Sequence, residues 1–508
     1  MDWGHGYFTQ TGYSFGYYPE TMPVRLHWAA LVQGHQARSA GFRYLDAGCG
    51  QGYNLIVAAL LHPDSEFVGV DFMPRHIAHA RQLAERIGLS NVVFVEGDFT
   101  ALAEDPSALG MFDYIVAHGI STWIAPAIRN DLARFVGRAL APGGIYYNSY
   151  NTMPGWLATT PLQHLVLLEQ ERGGPEAALE AARRTIATIV ASAPALAGAL
   201  PGLKSRLDSI EGQDSSYLLQ EYNNLYWGPV FVTEMIERMA GEKLDYLGTA
   251  SLAEVHPAAV PADLRSLVEG EKSVKIREQL RDYAINQGFR RDLYVKGKLP
   301  FFATRQDQLI RAQRFACNPL AARAEEGQPY KIKAGGVELH GAATFYNELL
   351  DRMARDPGGC TVGALIDAVE DPAFKAAVVE TLCMMVHGGW ALPQLADSAP
   401  GASLAAGRLA EVVAEGAPYR YLPLPAAGSA IGLNDSDWLV LDLMIKGTPR
   451  EQMPEALLRA LKTLNRVLLK NGETVQSPEE MRAIAQETVD DFAENRWPFL
   501  RAQGVEPV

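Results

Sequence analysis

The chain has 508 residues, 48% of them hydrophobic, and 45 basic against 59 acidic side chains for a formal net charge of −14. Several packed cores can be built from that length, and 46 glycines and 30 prolines are ordinary counts, so a fibrous or broadly disordered chain is excluded. The acidic balance argues against a protein that grips nucleic acid over its whole surface. Cys49, Cys317, Cys360 and Cys383 form no CxxC pair, so neither a disulfide framework nor a metal site is expected. MDWGHGYFTQ has no basic region followed by an apolar run, and no membrane-length apolar stretch of about 18 residues occurs, which points to a soluble, cytoplasmic protein.

In chain order, residues 1–40 are aromatic-rich (Tyr7, Phe8, Tyr13, Phe15, Tyr17, Tyr18), and Pro19 and Pro23 lead into an apolar helical stretch over 24–37. Strand and helix then alternate: strand at 42–46, helix at 53–61, strand at 66–71, helix at 74–87 stopped by Gly88, strands at 92–95 and 112–117, helix at 126–140, strand at 145–149. This rhythm predicts a mostly parallel sheet with helices on both faces. Residues 156–241 read as helical, with breaks at Gly173-Gly174 and Pro201-Gly202. Strands at 243–247 and 289–295, separated by a helix at 275–286, would complete a seven-stranded sheet. After Pro300 the alternation ends; 361–394 reads helix, helix, short strand, the order of a winged helix, and a Pro/Gly/Ala-rich bridge at 394–429 leads to a last helical unit.

The chemistry sits in Tyr44-Leu45-Asp46-Ala47-Gly48-Cys49-Gly50-Gln51-Gly52, where a strand passes through glycines into a helix. Glycine permits positive φ and lets a ligand approach the backbone. A dinucleotide loop would read GxGxxG; here Tyr53 takes the place of its third glycine, which disfavours a nicotinamide dehydrogenase. An acid ahead of the first glycine suits a ligand with an ammonium group. Asp71, followed by Phe72, ends the second strand and can accept ribose hydroxyls; Asp98, followed by Phe99, comes after the third and can accept from a purine amino group. The competing reading is that Asp71 and Asp98 only cap helices.

Residues 42–150 resemble the class I S-adenosylmethionine (SAM) methyltransferases. YNTMPGW at 150–156, YPETMP at 18–23 and the segment 216–296 resemble a subgroup that adds a methyltransferase regulatory region and includes bacterial protein lysine methyltransferases. The resemblance implies a Rossmann-like α/β seven-stranded sheet with a helical insertion, followed by winged-helix-like α+β modules. The expected boundaries are 1–155 for the SAM-binding core with an aromatic lid, 156–242 for the helical insertion, 243–300 for the rest of the sheet, 301–400 for the winged-helix-like module and 401–508 for a C-terminal helical module. Gln220-Glu221-Tyr222 departs from the His-Glu-Tyr type of motif expected there.

The expected cofactor is SAM, held by Asp46, Gly48, Gly50, Gly52, Asp71, Phe72, Asp98, Phe99 and His118, with Tyr18 and Tyr17 as lid candidates. His118, Tyr150 and Asn151 are the catalytic candidates: His118 follows the fourth strand, while Asn148, Tyr150 and Asn151 end the fifth. Trp123 and Trp156 could wall the acceptor site. The Ala117–Trp123 stretch lacks the Asn/Asp-Pro-Pro-aromatic clamp used on amide and base nitrogens, which counts against glutamine and adenine as acceptors. A protein lysine is the expected acceptor; a small molecule methylated on N or O, and a non-catalytic SAM-binding regulator, stay open. The second helix of the winged-helix order carries Lys375 as its one base, so no nucleic acid is expected; no membrane partner is expected, and a homodimer is compatible. Residues 301–508 are expected not to build the cofactor site.

Overall fold

The computed structural model describes residues 4, 6–7, 9, 12–210, 215–299, 301–356, 358–395, 400–470 and 473–506; Phe8 of the aromatic segment lies outside them. The first half builds one seven-stranded sheet from β1 (Arg43–Ala47), β2 (Glu66–Asp71), β3 (Val92–Glu96), β4 (Phe112–Ala117), β5 (Leu140–Asn151), β6 (Leu244–Thr249) and β7 (Phe289–Lys296). Their order across the sheet is β3-β2-β1-β4-β5-β7-β6. All pairings are parallel except those of β7, which runs antiparallel to both β5 and β6. The chain winds outward from β1 to β3 and returns to β4 on the other side. A crevice therefore opens between the carboxyl ends of β1 and β4, where open α/β sheets bind ligands.

Helices α1 (Pro23–Val32), α2 (Tyr53–Leu61), α3 (Pro74–Ile87), α4 (Phe99–Glu104) and α5 (Pro126–Ala139) cover this sheet. The expected limits of α2 and α3 hold to the residue, because each has a hard signal at its ends: Gly52 in the left-handed region before α2, Pro74 at the first turn of α3 and left-handed Gly88 after it. Two limits differ. The stretch expected as helix to 37 ends at Val32, and the strand expected from 145 begins at Leu140, taking Pro142-Gly143-Gly144 into a 12-residue β5 whose pairing with β4 shifts register between Phe112 and Tyr114.

The insertion before β6 consists of α6 (Thr160–Gly173), α7 (Pro175–Ser192), α8 (Pro194–Ala199), α9 (Pro201–Ile210), α10 (Ser215–Tyr222) and α11 (Val232–Gly241). The break expected at Pro201-Gly202 falls at Leu200, between α8 and α9, and Pro201 opens α9: proline's fixed φ suits a first helical turn. Leu162, Val166, Ala182, Leu203 and Tyr222 form a separate small core there. Helices α12 (Ala262–Gly270) and α13 (Val274–Ile285) lie between β6 and β7.

Beyond 300 the chain forms α14 (Ala303–Ala312), β8 (Arg314–Cys317), the hairpin β9 (Tyr330–Ala334) and β10 (Val337–Gly341), α15 (Ala343–Ala354), β11 (Cys360–Thr361), α16 (Val362–Ala368), α17 (Pro372–His387) and β12 (Ala391–Gln394). The helix-helix-strand order over 361–394 is present, but β11 and β12 both pair with β8, a strand that precedes the 361–394 segment. α17 buries Val378, Leu382, Cys383 and Met385, and Glu380 on it pairs with His256 at 3.0 Å, so this helix is packed against the 252–256 turn of the methyltransferase half. Last come α18 (Pro400–Ala414), the hairpin β13 (Tyr421–Leu424) and β14 (Ser429–Gly432), and further helices from Asp435.

The two halves share one core. Every residue of α2 is buried, a condition that the sheet on one side cannot meet alone. The other side is covered by α18 and the β13–β14 hairpin. Tyr53 stacks on Tyr419 with ring centroids 4.6 Å apart and donates its hydroxyl to the Tyr421 carbonyl; His79 of α3 contacts the Tyr419 hydroxyl at 2.7 Å.

Candidate active site

A cavity opens at the crevice between β1 and β4, and all its lining residues lie between Gly4 and Ile128. Of the ten expected cofactor residues, Asp46, Gly48, Gly50, Gly52, Asp71, Phe72, Asp98, Phe99, His118 and Tyr18 all line it. Each arrives at the carboxyl end of a successive strand, or from the N-terminal segment laid across the opening.

The three glycines do different work. Gly52 is required by packing, since a Cβ there would lie 2.5 Å from the Ala80 Cβ, while Gly48 is held by its backbone, at φ +88°, with the end of Ile120 lying over it. Gly50, at φ +53°, would place a Cβ in open space: it is the bare backbone that the loop offers to the cavity. Its N–H donates to Asp71 Oδ2 at 2.9 Å. Asp71 also accepts from the Met73 N–H at 2.9 Å and sits 3.1 Å from His76 Nδ1. His76 Nε2 in turn accepts the Tyr13 N–H at 3.3 Å, which leaves the proton on Nδ1, facing Asp71. Asp71 is therefore the clamp between glycine loop, α3 and N-terminal segment. With three of about four acceptor directions used, it has room for one ribose hydroxyl, not the two expected. Asp98 caps α4, accepting the Ala101 N–H at 2.9 Å, so the capping role weighed from sequence is present together with the cavity position.

Asp46 is only 4% exposed. Burial, reinforced by the Asp71 charge and opposed by a hydrogen bond from Asn54, pushes its carboxyl up to about 7. Asn54 also accepts the Tyr18 N–H at 2.9 Å and donates to Thr21 Oγ1 at 3.0 Å, tying the N-terminal segment to α2.

At the acceptor end, His118 stacks under Tyr18 with centroids 3.8 Å apart. Its Nδ1 is held by the Tyr147 hydroxyl at 3.0 Å and Ser149 Oγ at 3.1 Å, and Ser149 Oγ accepts the Gly119 N–H at 2.8 Å. Nε2 is the ring nitrogen left to serve the cavity. Desolvation takes the imidazole down to about 4, with Glu20 opposing and Arg291 adding to the shift, so it is neutral at physiological pH. Trp123 also lines the cavity.

Four expectations for this end are corrected. The Tyr150 hydroxyl donates to Asp292 Oδ2 at 2.5 Å, inside a buried cluster in which Arg290 also binds Asp292, Asp282 and Glu278. Asn148 faces Ser121 and Met235. Asn151 is buried against Glu221 and outside the cavity lining, with its amide 3.4 Å from Glu221 Oε1. Trp156 packs edge-on against Trp227 under Arg206. Side chains along a strand alternate between faces, so 147 and 149 reach His118 while 148 and 150 turn the other way. Tyr17 likewise turns away from the cavity: its hydroxyl accepts the Ala430 N–H at 2.7 Å. Sequence reading missed Tyr13, Asn54 and His76; the one signal was the aromatic density of 7–18, which showed a cover without its anchors.

Among the described residues no group of His, Cys, Asp and Glu could hold a metal ion, and no helix is long and apolar enough to cross a membrane. The residues present fit SAM: Gly50 presents bare backbone, Asp46 and Asp71 suit a ligand with a cationic end and a ribose, and Phe72 and Phe99 offer apolar walls to a purine.

Residues 38–173 match the family model described as a methyltransferase domain, and residues 214–296 match that of a predicted methyltransferase regulatory domain. The chain is a SAM-dependent methyltransferase of the class I fold carrying a methyltransferase regulatory domain. Over 519 aligned residues it is 27% identical to an uncharacterized protein of Synechocystis sp., covering 99% of this chain and 100% of that one. Over 123 residues it is 28% identical to ribosomal RNA small subunit methyltransferase G of Sodalis glossinidius, covering 23% of this chain and 57% of that one. The solved structure of PKMT2 from Rickettsia typhi in complex with AdoHcy superposes with a TM-score of 0.72 over 96% of this chain and 99% of that one at 19% identity, so the whole architecture, including the part beyond 300, is shared.

Proposed function

We propose that this enzyme methylates the ε-amino group of lysine in a protein substrate. The observation that carries the reading is the composition of the acceptor end: Tyr18, Trp123 and a neutral His118 make an aromatic, weakly polar wall. Such a wall strips water from an approaching ammonium group and lowers its pKa from about 10.4, which favours the free amine that attacks. Similarity over the whole length to the Rickettsia typhi protein PKMT2 supports the same reading.

On this account Asp46 receives the ammonium of the cofactor's amino-acid end, Asp71 a ribose hydroxyl, and Asp98 with Phe72 and Phe99 the adenine. SAM supplies an electrophilic methyl group on a sulfonium. His118, fixed through Nδ1 by Tyr147 and Ser149, presents Nε2 to orient the incoming nitrogen. At about 4 it is too weak a base to carry the proton away at neutral pH, so the amine loses its proton to solvent before it is enclosed. Tyr18, pinned by Asn54, closes the wall against water.

The test is the pH dependence of single-turnover methyl transfer to a lysine peptide or protein. The rate is expected to climb between roughly pH 7 and 9 with the neutral fraction of the amine. A flat profile with chemistry limiting contradicts the lysine reading.

A further inference from the structure

A second cavity, of about 470 Å³, lies on the other side of the Tyr17–Glu20 segment, where the methyltransferase sheet meets both modules beyond 300. Its wall takes Arg25 from α1, Arg291 from β7, His387 from the end of α17 and Ser429 from β14. Four separate stretches of chain thus bring two guanidinium groups and an imidazole to one cleft. One acid, Glu20, stands among the lining residues, and it is already taken: it binds Arg291 Nε at 2.6 Å. Arg291 Nη1 further donates to Ser251 Oγ at 3.2 Å. Among the described residues, no carboxylate lies within ion-pairing distance of Arg25 and no acceptor takes its guanidinium. The Ser429 hydroxyl, in a residue 3% exposed, has no hydrogen-bond partner among the described residues either.

Glu20 is the one acid whose charge both Arg25 and Arg291 feel, and Arg291 holds it directly, so the cavity carries an excess of positive charge that an anion would neutralise. Arg25 carries five N–H donors in a planar fork that matches an oxyanion. His387 Nε2 contacts the Lys333 carbonyl at 2.8 Å; with that nitrogen donating, Nδ1 is an acceptor, suited to a hydroxyl on the ligand.

We propose that this junction cavity is a binding site for a small oxyanion-bearing molecule, a phosphate or carboxylate compound, held by Arg25 and separate from the methyl-transfer site. The ligand bridges the methyltransferase half and the C-terminal modules, so its binding stabilises the full-length chain.

Inorganic phosphate is the first probe, titrated into the full-length protein against sodium chloride of matched ionic strength, with malonate as the carboxylate arm. Phosphate or malonate is expected to raise Tm saturably by roughly 1–3 °C above the chloride control. The arm with the larger effect identifies the oxyanion class. Arg25→Gln is expected to lose the increment while still binding S-adenosylhomocysteine, which reports that the variant is folded. Arg25→Lys keeps the charge and loses the fork, and is expected to bind severalfold more weakly; it decides the matter if Arg25→Gln does not fold. No increment over chloride in the wild type for either anion, or an undiminished increment in a folded Arg25 variant, overturns the proposal.

Discussion

Asp46 is the side chain whose surroundings make the sharpest demand. It lies at the end of a central strand, shielded from water and near a second acid, and burial raises its carboxyl to about 7. An acid raised in this way is protonated in the empty protein below pH 7, and it must ionise to receive a cationic ligand end. Cofactor binding is thus expected to weaken as pH falls through 7, with the dissociation constant for SAM about tenfold larger at pH 6 than at pH 8. Asp46→Asn should bind more weakly at pH 8 and lose most of that dependence; calorimetry at the two pH values checks both. His118, titrating near 4, contributes nothing to this window.

At the scale of elements, the cavity depends on α2, and α2 depends on chain far from it. Tyr53 opens that helix, stacks on Tyr419 and is 1% exposed. Replacing Tyr53 by Ala removes a buried aromatic and is expected to cost about 3–5 kcal/mol of stability, measurable by denaturant unfolding. By the same argument the fragment 1–300, which keeps every residue lining the cofactor cavity, is expected to unfold or aggregate, because it leaves the outward face of α2 and part of α3 without cover. Retention of native stability in that fragment would contradict this account of the shared core.

Legibility in the sequence follows the same lines. Strand and helix limits next to Gly52, Pro74 and Gly88 were readable because glycine and proline act locally. The acids at the strand ends were readable because a parallel sheet delivers strand ends to one edge. Which side of β5 faces the site was not, since that depends on a register fixed by β4 and β7; counting by twos from His118's partners selects Tyr147 and Ser149, not Tyr150. The anchoring of the N-terminal segment by Asn54 and His76, and the pairing of β11 and β12 with β8, rest on contacts between residues about 36 to 80 apart, which no local pattern records.

At the scale of the whole molecule the two halves form one body with two cavities. The methyltransferase half makes a cofactor cavity from its first 128 residues, and the modules beyond 300 brace α2 and close a second, cationic cavity behind the Tyr17–Glu20 segment. The C-terminal half of α17, with Val378 and Leu382 to Val386 buried, packs into this junction. The central claim is that methyl groups pass from SAM to lysine. Incubating the full-length enzyme with methyl-labelled SAM and a proteome of its own cell, followed by peptide mass spectrometry, tests it most directly. Label is expected as mono-, di- or trimethyl groups on lysine Nε, reduced with Asp46→Asn at pH 8 and subsaturating SAM. Label confined to small molecules, or carried on oxygen, carbon or a nitrogen other than lysine Nε, would contradict it.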